Sequence, residues 1–166
     1  MEPVKVHAFQ RPEALLPAPD FCLTSAAGET ICGSVYRQRL KQVLLFPAGA
    51  SAAEWAPALH AFGDHAEEYS RLEAMVLALV PAGAEAIRGI DRGLAYHYPV
   101  LADEGGRVRQ AYESLLAGDT GTGHLVFVLD AFQAPYAAII NADPADPALF
   151  EQIEQWLAFI AVQCPE

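Results

Sequence analysis

The chain has 166 residues, 53% of them apolar, which suggests one globular domain. Chains of this size bury roughly 70% of their unfolded surface, enough for a core without metal or cross-links. Ten Lys and Arg against 21 Asp and Glu leave a formal charge of -11. With no cluster of basic residues in sight, neither nucleic acid nor an anionic membrane surface is expected as a partner. Residues 1–18 read as an extended N-terminal segment with Pro12 and Pro17, and 19–166 as the single domain. Phe21 to Thr24 and Thr30 to Gly33 flank a Gly-containing connection and read as a β-hairpin. Lys41 to Phe46 (KQVLLF) is a short apolar run before Pro47 and Gly49, the pattern of a buried strand.

A long helix is predicted from Ser51 to about Ala74, with Trp55, Leu59, Phe62, Ala66, Tyr69 and Leu72 on one face and a dent expected at Gly63 and Asp64. Met75 to Val80 reads as a second buried strand, Ala84 to Gly93 as a short helix, and Pro99 to Asp103 as a short strand. Arg107 to Leu116 is amphipathic and helical. His124 to Asp130 and Pro135 to Ile140, joined by a short connection, predict an antiparallel pair, and Pro147 to about Val162 a final helix. Strands alternating with helices imply a mixed sheet with helices on both faces.

The start of the sequence lacks the apolar stretch of a signal peptide, and no apolar run approaches the ~20 residues of a membrane span. A cytoplasmic location is therefore expected, with thiols kept reduced. Cys22, Cys32 and Cys164 fit no zinc spacing, and no cofactor or metal is implied. Gly118-Asp-Thr-Gly-Thr-Gly lacks the Walker lysine and reads as a loop. Numbering places Cys22 and Cys32 symmetrically about the hairpin centre, so a cross-strand disulfide is one reading. The preferred reading makes both small buried hydrophobes, and Cys164 an exposed tail thiol.

Taken together and in order, Pro19-Asp-Phe-Cys-Leu-Thr with its hairpin, KQVLLFPAG, Tyr98-Pro-Val-Leu-Ala-Asp and His124-Leu-Val-Phe-Val-Leu-Asp resemble the alkyl hydroperoxide reductase/thiol-specific antioxidant family, the peroxiredoxin branch of the thioredoxin superfamily. The resemblance implies an α/β thioredoxin-like (peroxiredoxin-type) fold, a mixed central sheet with helices on both faces and an N-terminal β-hairpin. It also implies thiol antioxidant or oxidoreductase chemistry and homodimerisation. The family motif P-x-x-x-(T/S)-x-x-C lays its proline on Pro47, its hydroxyl residue on Ser51 and its cysteine on Glu54. A carboxylate cannot be oxidised to a sulfenic acid, so the peroxidatic nucleophile is expected to be missing. The activating arginine of the family falls on His124.

Glu54 has an ordinary structural reading, since Ser51-Ala-Ala-Glu54 spells a capping box. An acidic residue in the first turn is further favoured by about 0.3–1 kcal/mol from the helix dipole. The functional alternative has Glu54 and His124 meeting in one pocket to bind a small polar ligand or ion. Three roles stay open for the chain: a degenerate family member acting as a protein-binding module, an oxidoreductase using relocated Cys22/Cys32 or Cys164, and a small-ligand binder.

Overall fold

The computed structural model describes residues 2–10 and 17–163. Eight strands and four α-helices follow one another among them, with short 3-10 turns between: β1 (Lys5–Ala8), β2 (Cys22–Thr24), β3 (Thr30–Cys32), β4 (Lys41–Phe46), α1 (Ala52–Arg71), β5 (Ala74–Val80), α2 (Ala84–Ile87), β6 (Val100–Ala102), α3 (Arg107–Glu113), β7 (His124–Leu129), β8 (Pro135–Ala142) and α4 (Pro147–Gln163). Six strands form one sheet in the order β1-β8-β7-β4-β5-β6, and β2 and β3 pair separately as the hairpin. The β4–β5 and β5–β6 pairs are parallel, and the remaining pairs of the sheet are antiparallel.

The central strands are buried on both faces, which is why they read as continuous apolar runs. Strand alternation divides β4 between two cores. Val43 and Leu45 join Trp55, Leu59 and Phe62 of α1 and Ile153 and Leu157 of α4 on one face. Leu44 and Phe46 join Tyr112 and Phe127 on the other, beneath the hairpin. Helix α1 buries Trp55, Leu59, Phe62, Ala66 and Tyr69, and carries Pro57 within its span.

Three expectations need correction. Residues 5–8 are a strand of the sheet: β1 pairs antiparallel with β8, Lys5 opposite Ile140 and Ala8 opposite Ala137. The dent expected at Gly63 and Asp64 does not occur, because Gly63 is buried against Leu94 and Tyr98 while α1 continues to Arg71. The helix expected over 84–93 is split. Gly89 takes a left-handed φ of 78° and turns α2 into a short 3-10 segment, Ile90–Gly93. No helix among the described residues is long and apolar enough to cross a membrane.

Candidate functional site

Between the end of β4 and the start of α1 the chain turns through residues 47–51. Gly49 adopts φ +117°, and a Cβ built there would lie 2.5 Å from the Cβ of Glu54 and closer still to its carboxylate. The close approach is used. Glu54 Oε2 accepts the Ala50 N–H at 3.3 Å, and the Trp55 indole donates to the Gly49 carbonyl at 2.9 Å. The expected capping box does not form, because neither of its two reciprocal bonds is made. Ser51 is the extended N-cap, but its hydroxyl accepts no amide and instead makes a long 3.4 Å contact to Glu54 Oε1. The Glu54 carboxylate reaches one residue past the N-cap, because the turn at Gly49 presents the Ala50 amide to it.

His124 opens β7. Its Nδ1 accepts the Ala48 N–H at 2.9 Å, which fixes the ring as the Nε2–H tautomer. Burial holds the imidazole below its ordinary pKa, the Arg109 charge pushes it down further, and Asp143 opposes both. The ring is neutral. Next to it, a register shift leaves Asn141 in a left-handed bulge at φ 57°, with its side-chain oxygen accepting the Gly123 N–H.

Arg109 of α3 was not singled out by sequence reasoning, yet it organises this end of the sheet. Its guanidinium donates to the carbonyls of Phe46 at 3.2 Å, Gly121 at 3.2 Å and Gly123 at 2.7 Å, and its Nε lies 3.4 Å from Glu113. Burial lowers its pKa while Glu113 raises it, and a guanidinium remains charged. The sequence signal was an ordinary i, i+4 Arg–Glu pair on an amphipathic helix. Nothing in that pattern reveals that the fork ties together the chain before Pro47 and the chain before His124.

Glu54 and His124, with Ala48, Gly49, Pro57 and Asn141, stand in the wall of one open cleft of about 650 Å³. No hydrogen bond joins the two, and Glu54 is exposed. The fold thus brings Glu54 and His124 to a common surface, while Pro47 is buried behind them and Ser51 faces solvent. No group of three or more His, Cys, Asp or Glu among the described residues could hold a metal ion.

The hairpin carries the second chemically distinctive feature. Cys22 and Cys32 are directly opposite one another, with Cα atoms 4.0 Å apart, and are joined as a disulfide. The ladder explains why they meet. Ser25 N–H donates to Glu29 O and Gly33 N–H to Phe21 O, so 21/33, 23/31 and 25/29 are hydrogen-bonded pairs. The 22/32 pair between them is non-hydrogen-bonded, the kind whose side chains approach most closely. Cys22 is exposed and Cys32 half-buried, so the preferred reading of two buried reduced thiols is overturned. Cys164 lies outside the described residues.

The AhpC/TSA family model matches residues 16–134. The chain belongs to the AhpC/TSA family. Its fold is that of solved peroxiredoxins. Peroxidoxin BcpB from Mycobacterium tuberculosis superposes with a TM-score of 0.69 at 19% identity, over 90% of this chain and 96% of that one. A cysteine-to-serine variant of PrxQ from Xylella fastidiosa gives 0.68 at 13% identity, over 84% and 89%. Thioredoxin peroxidase I from Plasmodium yoelii gives 0.63 at 13% identity, over 89% and 88%. No curated protein matches the sequence. In AhpC/TSA terms, the thioredoxin-like peroxiredoxin fold expected from the four quoted segments is the fold observed.

Proposed function

We propose that this AhpC/TSA protein no longer reduces peroxide at the turn between β4 and α1, and that the cleft there binds a small polar ligand. The observation that carries this reading is the carboxylate of Glu54. By the spacing of the motif from Pro47 through Ser51 it falls where the family pattern calls for a thiol, and it is tied into the turn through the Ala50 amide and the Ser51 hydroxyl. A carboxylate has no sulfenic acid state, so peroxide finds no nucleophile there. On the same reading the activating arginine of the family pattern is replaced by His124, neutral and accepting the Ala48 N–H. Its Nε2–H has no partner among the described residues, which leaves one donor beside the Glu54 acceptor for a ligand that offers both.

Peroxide consumption with dithiothreitol as reductant tests the first half. The expected rate equals that of dithiothreitol alone. Turnover that disappears on Cys→Ser substitution at 22, 32 or 164 would overturn it in favour of a relocated thiol peroxidase. Binding is tested by titrating small hydroxy-amide compounds such as glycolamide and following the ring protons of His124. Shifts that Glu54→Gln and His124→Phe each weaken several-fold support the reading; no saturable shift at millimolar ligand counts against it.

A further inference from the structure

We infer that the Cys22–Cys32 disulfide is a thiol–disulfide exchange site that takes a dithiol as its reductant, with Cys22 Sγ the sulfur attacked. This inference is independent of ligand binding at Glu54. It rests on three observations about the hairpin.

First, the bond is accessible from one side. In-line attack on a disulfide sulfur approaches it from the side opposite the leaving sulfur. A cleft of about 420 Å³ includes Cys22 in its wall and does not include Cys32; Phe21, Leu23, Glu104, Arg107 and Val108 also line it. Cys22 is exposed, whereas Cys32 is half-buried. Second, the cleft carries one cation among three carboxylates. Arg107 is the one basic side chain on its wall among the described residues; of the acids, Asp20 accepts the Ser34 N–H, the buried Asp103 accepts the amides of Val108 and Arg109, and Glu104 is exposed. The Arg107 guanidinium offsets part of that negative charge towards an incoming thiolate.

Third, the hairpin holds its place on both sides of the cross-link without it. The Gln42 side-chain amide, fully buried on β4, donates to the carbonyl of Gly33 at 2.8 Å. The Tyr112 hydroxyl donates to the Pro19 carbonyl at 2.7 Å, and Gly33 N–H to Phe21 O at 3.0 Å. Opening the bond leaves these anchors in place, so the two sulfurs stay opposed and closure is reversible.

One thiolate of the dithiol attacks Cys22 Sγ. The Sγ–Sγ bond breaks and its electron pair goes to Cys32 Sγ, which takes a proton. The second thiol of the reductant, as thiolate, then attacks its own sulfur in the mixed disulfide. That step closes the reductant's disulfide and releases Cys22 as thiolate, which is protonated from solvent. Two electrons pass from dithiol to hairpin, and the two protons lost by the dithiol equal the two gained by the cysteines.

The test uses the full chain with Cys164→Ser, in native buffer. Dithiothreitol is expected to expose two titratable thiols without loss of circular dichroism, and oxidised dithiothreitol to return the count to zero. Treatment with the monothiol glutathione is expected to trap a mixed disulfide that maps to Cys22 by peptide mass. Cys32→Ser, which leaves Cys22 free, is expected to react at least tenfold faster with an aromatic disulfide reagent than Cys22→Ser. Reduction only in denaturant, a mixed disulfide on Cys32, or purified protein with two thiols that oxidised dithiothreitol does not close would each overturn the proposal. The glutathione trap needs no change at either hairpin cysteine, so it decides the matter even if those two variants fail to fold.

Discussion

His124 and Ala48 are bound across the mouth of the sheet: the ring Nδ1 accepts the loop amide at 2.9 Å, an interaction that exists only while the imidazole is neutral. Since burial and Arg109 hold the folded pKa below the unfolded value near 6.5, the unfolded chain takes up the proton first. Stability is therefore complete above about pH 6.5 and declines as the pH falls through the ordinary value towards the lowered one. Urea midpoints measured between pH 5 and 8 should show this slope in the native chain. His124→Asn, which keeps an acceptor but no titration, should flatten it, and His124→Phe should cost about 1–2 kcal/mol at pH 7.5 for the orphaned amide.

Arg109→Met leaves three carbonyls without their donor, at an expected cost of about 2–4 kcal/mol in urea unfolding. Arg109→Lys should recover only part, because an ammonium cannot reproduce the fork. A second readout separates this from simple loosening. Removing the positive charge in Arg109→Met should raise the His124 pKa, measured from the ring-proton shifts against pH, whereas Arg109→Lys should leave it nearly unchanged.

Gly49→Ala should be among the costliest small substitutions in the chain, at about 1–3 kcal/mol for the φ of +117° alone. The contact with Glu54 involves that residue's Cβ as well as its carboxylate. Placing Gly49→Ala in a Glu54→Ala background should therefore give little relief. A full rescue in the double variant would show that the carboxylate alone sets the turn.

The register of β1 makes a positional prediction. Phe9 N–H donates to Tyr136 O, and the continuous pairing then makes His7 opposite Ala138 a hydrogen-bonded pair and Val6 opposite Ile139 a non-hydrogen-bonded one. Proline at 7 deletes a ladder donor, whereas proline at 6 removes an N–H that points away from the sheet. His7→Pro should be less stable than Val6→Pro by about 1–3 kcal/mol in urea unfolding. Equal midpoints would mean that β1 contributes nothing to the sheet.

The interior strands were legible because burial on both faces leaves an unbroken apolar run, as in Lys41–Phe46 and Ala74–Val80. Strand β1 was not, since KVHA is exposed along most of its length and holds its place through backbone pairing with β8. The hairpin symmetry located Cys22 opposite Cys32, but only the ladder phase and the exposure of Cys22 decide between a bond and two buried thiols. Glu54 and His124 were reachable through spacing against a family pattern. Arg109 was hidden because its partners are main-chain carbonyls up to 63 residues away, which leave no trace in side-chain identity.

The hairpin has one more consequence, at its far end from the cysteines. Ser25 bridges to Leu101 and Ala26 N–H donates to Val100 O, so the outer side of β6 is already occupied by main chain. The opposite border of the sheet is the four-residue β1, with Lys5 and His7 among its side chains. Among the described residues, the six-stranded sheet therefore leaves one short, partly charged border on which a second polypeptide could extend it. That arrangement guards an acidic, alanine-rich chain against stacking strand upon strand into insoluble ribbons.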